Sequence, residues 1–158
     1  MSSLKKYTLF FFLSMSALAP AAAAASEFDH YLQQHQILDQ EFKIINIKKL
    51  NELLTVLSAE DSRTLPIQID QNTRIDQLQL SANATQLKGI ITTPDFAQFE
   101  KARGKKEVQQ LLQKNLTQNC DILFEHQYQR VNPYQVQLSL RSDTSEYQLK
   151  LAAKDCAL

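Results

Sequence analysis

YQVQLSLRSDTSEYQLKLA, residues 134–152, is the stretch that decides the fold class. Tyr134, Val136, Leu138 and Leu140 alternate with Gln135, Gln137, Ser139 and Arg141. After the turn residues Ser142-Asp143-Thr144-Ser145, Tyr147, Leu149 and Leu151 alternate with Gln148, Lys150 and Ala152. A period of two places every second side chain on the same face, so this is a hairpin with one apolar and one wet side. Its partner lies upstream. Leu78 and Leu80 alternate with Gln77, Gln79 and Ser81, and Thr85, Leu87, Gly89 and Ile91 resume the pattern beyond Ala82-Asn83-Ala84. That predicts a second hairpin over 73–81 and 85–92.

Helical periods fill the remainder. Phe28, Tyr31, Leu32, His35, Leu38 and Phe42 share a face over 26–42, with Ser26 placed to cap the start. Ile47, Leu50, Leu54 and Leu57 repeat the pattern over 46–59, with Asn46 at the cap. Leu65-Pro66 to Asp70 reads as extended chain, because proline lacks a donor and biases its predecessor away from helix. Thr93-Pro94-Asp95 starts a helix whose stripe runs through Phe96, Phe99, Val108, Leu111, Leu112 and Leu116, broken near Gly104 and ending by Asn119. Residues 121–127 add a turn or two of helix. The expectation is an α+β domain: N-terminal helices, then β-β-α-(α)-β-β, with a four-stranded antiparallel sheet covered by helices on one face.

Residues 1–25 read differently. Lys5 and Lys6 precede a weakly polar to apolar run over 7–19, and Pro20 with Ala21–Ala25 supplies small residues for a signal peptidase. The run is about thirteen residues where a spanning helix needs about twenty, so a cleaved secretory signal is expected rather than an anchor. The cut falls after Ala25, with Ala23 as a neighbouring alternative, and leaves residues 26–158 as a single domain. Removal of Lys5 and Lys6 takes the formal charge from zero to minus two, a balance that suggests neither nucleic acid nor an anionic membrane. No cysteine precedes Cys120, so neither a lipid-modified amino terminus nor stable membrane insertion of the mature chain is expected.

An exported chain with two cysteines, Cys120 and Cys156, has one possible pairing. The bridge would close a loop of 36 residues and is worth about 4 kcal/mol in the chain-entropy model. Leu65-Pro66, Asp70 and Thr73, then Cys120 and Asp155-Cys156, resemble a group of small exported bacterial proteins without an assigned activity. The resemblance spans roughly residues 50–156 and implies an envelope protein with a disulfide. It implies no catalytic residues.

Catalytic and metal chemistry finds few handles. His30 and His35 stand five apart, about 140° around a helix, which is poor ligand spacing, and both read as ordinary helix residues with His35 half-buried. Cys120, Cys156 and His126 match no zinc spacing. Glu60-Asp61, Asp70, Asp76 and Asp95 give carboxylates without evident convergence. Gly89 and Gly104 are the two glycines, too few for a phosphate-cradling loop. No metal and no cofactor is expected. Lys101, Arg103, Lys105 and Lys106 lie among Glu100 and Glu107, a mixed and solvated helix face. The glutamines Gln77, Gln79, Gln135, Gln137 and Gln148 should share the wet side of the sheet, either as a hydrogen-bonding surface for a glycan or extended peptide or as plain solvated polarity. The reading is a small periplasmic or secreted protein-interaction or inhibitor module, with another envelope protein as partner. The alternatives are a thiol-dependent enzyme or redox protein using Cys120 or Cys156 with His126, and a small-ligand carrier with a cavity between sheet and helices.

Overall fold

Cap chemistry sets where the chain first becomes helical. In the computed structural model, which describes residues 24–158, Ser26 accepts from the Asp29 amide and opens α1 (Glu27–Gln34). The signal-like stretch 1–25 falls, apart from Ala24 and Ala25, outside the described residues. The helix stops eight residues short of the expected end at Phe42. Gln36 and Phe42 take left-handed backbone angles, φ 55° and 61°, and the Asp39 carboxylate accepts from the amides of Glu41 and Lys43. That Asx-type turn offers the backbone partners that compete with a helix. Apolar spacing alone did not reveal it. His35, expected half-buried, is exposed.

Asn46 caps α2 (Ile47–Asp61) through the Lys49 amide, and Leu50, Leu54 and Ser58 form its buried stripe. Two polar side chains fasten this helix to the sheet. Ser58 Oγ donates to the Leu54 carbonyl and accepts from the Leu80 amide at 2.7 Å, while Asn51 Oδ1 accepts from the Ala82 amide at 2.7 Å. A 3-10 turn (Ser62–Thr64) leads to the short β1 (Ile67–Gln68), then β2 (Thr73–Ser81) and β3 (Ala84–Ile91). Four helices follow: α3 (Phe96–Arg103), α4 (Lys105–Thr117), α5 (Cys120–Leu123) and α6 (Gln127–Val131). Gly104, at φ 84°, makes the break between α3 and α4. The chain ends in β4 (Gln135–Arg141), β5 (Glu146–Ala152) and a 3-10 turn (Ala153–Asp155).

The α+β class and both hairpins are as expected; the sheet is not the expected four-stranded antiparallel one. It has five strands in the order β1-β2-β3-β4-β5, and β3 pairs with β4 in parallel, Leu87 opposite Leu138. The reason is the connection. Neighbouring antiparallel strands are joined by tight turns, whereas a crossover through helices returns the chain at the same end of the sheet, and α3 to α6 all lie between β3 and β4. β1, read beforehand only as extended chain, pairs with β2 and completes the fifth position.

Alternate residues of the strands point into one core, where Val136, Leu140, Tyr147 and Leu149 meet Leu50, Leu54, Val108, Phe124 and Tyr128. Burial runs strictly every second residue along β5. Cys120, opening α5, is bonded to Cys156 with Cα atoms 5.9 Å apart. The bridge therefore ties α5 to the segment just past the final 3-10 turn, one step beyond β5 itself. No helix among the described residues is long and apolar enough to cross a membrane.

Candidate binding face of the sheet

The face opposite the helices carries the glutamines. Strand register sorts them into two rows that cross four strands. One row is Gln79, Gln86, Gln137 and Lys150; the next is Gln77, Lys88, Ser139 and Gln148. Each row places side chains on adjacent strands directly opposite one another, about 5 Å apart as in any sheet. Gln135 stands at the margin, level with Ala84 and Ala152. Thus Gln77, Gln79, Gln137 and Gln148 come together in the rows and Gln135 borders them. Gln86, Lys88 and Lys150 were not singled out from the sequence. Their parity gave the signal: Gln86 and Lys88 flank Leu87 in the same alternation that marked the others.

The side chains divide by what they already bind. Gln148 Nε2 donates to Ser139 Oγ at 2.9 Å, and Ser139 Oγ donates to Glu146 at 3.1 Å, so that corner is internally satisfied. Arg74 Nε pairs with Asp76 at 2.9 Å where a bulge displaces β2 between Ile75 and Gln77. By contrast, the amides of Gln77, Gln79, Gln86 and Gln137 make no side-chain hydrogen bond among the described residues. Each amide offers two donors and two acceptor lone pairs. Two shallow depressions, of about 490 and 350 Å³, share Asp76, Gln77 and Lys88 on their walls. Chemically the surface suits a neutral, polar, extended partner, since it combines free donors and acceptors with charges of both signs.

A second concavity, of about 680 Å³, lies beside the end of α6 and is lined by Lys43, Arg130 and Lys154 together with Asn83 and Asn132. Its cations are partly engaged. Lys43 Nζ donates to the Val131 carbonyl and Arg130 Nε to that of Phe124, capping carbonyls that the helices leave open. The third feature is His126. Its Nδ1 lies 2.8 Å from Ser26 Oγ and its ring stacks on Tyr128, so it faces the start of α1. Both cysteine sulfurs are bonded to one another, which leaves no free thiol among the described residues for an imidazole to activate. Burial pushes the Tyr128 phenol well above its ordinary range, as expected for a hydroxyl removed from water. No group of three His, Cys, Asp or Glu side chains is placed to hold a metal among the described residues.

Fold and surface together define a small disulfide-stapled α+β domain with one helix-covered and one open, amide-rich sheet face. No family model matches the chain, and no curated protein matches it. Among solved structures, a candidate secreted protein of Pseudomonas aeruginosa is similar at 11% identity and TM-score 0.49, over 71% of this chain and 96% of that one. A pilotin of the type 2 secretion system from Vibrio vulnificus is similar at 16% identity and TM-score 0.47, over the same shares of the two chains.

Proposed function

We propose that this is an exported, non-enzymatic protein-interaction module of the cell envelope that docks a partner protein on the open sheet face. The supporting observation is the pair of cross-strand rows in which Gln77, Gln79, Gln86 and Gln137 keep unpaired amides on a rigid four-strand platform. The strand register fixes where each amide starts, and partners that hydrogen-bond the amides gain geometry as well as energy, offsetting the rotamer freedom the glutamines lose. The near-neutral, mixed charge of the face favours a polar polypeptide surface over a polyanion. Export through the stretch 1–25 would place the mature chain where a disulfide persists.

Site-specific photo-crosslinking in the producing cell tests this. A photoreactive residue at Gln79 or Gln137 should give one reproducible protein adduct in the envelope fraction. The same residue at Lys48, whose side chain is 87% exposed on α2, should give none. Equal labelling at all three positions, or adducts with glycan alone, would overturn the reading.

A further inference from the structure

Asp29 is fully buried on α1. Its Oδ2 is 3.0 Å from the Ser26 backbone nitrogen and accepts from Ser26 Oγ at 2.7 Å and from the Gln127 amide at 2.9 Å; Oδ1 accepts from the Tyr128 amide at 3.2 Å. No lysine, arginine or histidine forms an ion pair with it among the described residues. Its contacts are four neutral donors, three backbone amides and one hydroxyl. The nitrogen beside it belongs to the residue that follows the expected cleavage point.

We infer that the Ala25–Ser26 bond is a processing junction whose hydrolysis creates the missing cation. Water adds across the amide, Ala25 departs as the carboxylate end of the leader, and the Ser26 nitrogen takes up protons to become an ammonium. That ammonium keeps its place against Asp29 Oδ2 and replaces a neutral donor with a charged one, which shortens and strengthens the contact. Ala24 and Ala25 precede the first turn of α1, and Ala24 is exposed. His126 Nδ1, at 2.8 Å, holds the Ser26 hydroxyl from the other side. Because the Asp29 carboxylate also gathers the first amides of α6, the new amino terminus locks α1 onto α6. The leader thus does more than direct export: its removal completes a buried ion pair, and the uncleaved chain folds without it.

The experiment compares three forms of the folded protein by thermal melting: the chain starting at Ser26, the same chain acetylated on the Ser26 nitrogen, and the chain starting at Ala24. Intact mass of the exported protein should begin at Ser26. The acetylated and extended forms should both melt lower, by roughly 5 °C or more, and the three forms should coincide in Asp29→Asn. Where D29N does not fold, the first three chains decide alone. Equal melting of the Ser26 and Ala24 starts, or an exported chain beginning at another residue, would overturn the inference.

Discussion

Gly89 sits opposite Ile75 on β3, where β2 bulges. A Cβ built on it would stand 2.3 Å from the Arg74 carbonyl oxygen and 3.0 Å from Ile75 Cδ1. The first of these is backbone in a paired strand and cannot swing aside, so the position needs a residue with no side chain. Gly89→Ala is expected to cost about 2 kcal/mol through displaced backbone, read as a lower urea midpoint at unchanged slope. An alanine variant as stable as the parent would mean the bulge relaxes freely. From the sequence Gly89 was visible only as one apolar-parity position in a strand, because close backbone approach leaves no mark on periodicity. Asp29 shows the same limit: an acid in a first helical turn is ordinary capping chemistry, and only tertiary structure reveals that α6 closes over it.

At the scale of elements, the β4–β5 turn is clamped to α3 by one carboxylate. Glu100 accepts from Thr144 at 2.7 Å, from Tyr147 at 2.8 Å and from Ser145. The hydroxyl of Ser145 first, then those of Thr144 and Tyr147, hold the Glu100 carboxyl below its ordinary value of 4.5. Burial, reinforced by Glu100, pushes the Tyr147 phenol up to about 12. A carboxylate whose folded value is depressed adds stability that is complete above 4.5 and fades as pH falls through the lower folded value. Glu100→Gln should therefore lose stability at pH 7, by roughly 1 kcal/mol, and the gap with the parent should narrow at an acid pH below the lowered folded value. Parallel denaturation curves at both pH values, with the gap undiminished, would count against the clamp. The neighbouring element makes a second case. β5 is an edge strand, and Gln109 and Gln113 of α4 donate to its Gln148 and Lys150 carbonyls at 2.8 and 2.9 Å. Covered edges resist strand addition by other chains, so the double change Gln109→Ala and Gln113→Ala should leave the monomer folded but raise its aggregation rate on mild heating, measured by light scattering. The two hairpins were legible in advance since each is local, while these clasps join residues about forty positions apart and depend on which helix lands beside which strand.

For the whole molecule, what escaped the sequence was direction. Alternation fixed which residues of each strand face the core and placed the glutamines on the other side, and those assignments survive any sheet order. Whether β3 and β4 run parallel depends on the helical crossover α3 to α6, whose path periodicity does not encode. That crossover also explains the disulfide. Its later part would otherwise be held by the short α5 and α6, four and five residues long, too short to persist without tertiary support. Bonding Cys120 to Cys156 pins the start of α5 to the chain terminus over a loop of 36 residues. The bridge removes entropy from the unfolded chain and is worth about 4 kcal/mol in that account. Cys156→Ser should therefore lower the urea midpoint by a corresponding amount, and the reduced parent should match the variant. The loss should be uneven: amide exchange should quicken most in α5 and after Ala152, and least in the β2–β3 hairpin held by Ser58 and Asn51 of α2. Uniform quickening would place the effect in the unfolded chain alone, and an unchanged midpoint would show that packing holds both ends without the bond.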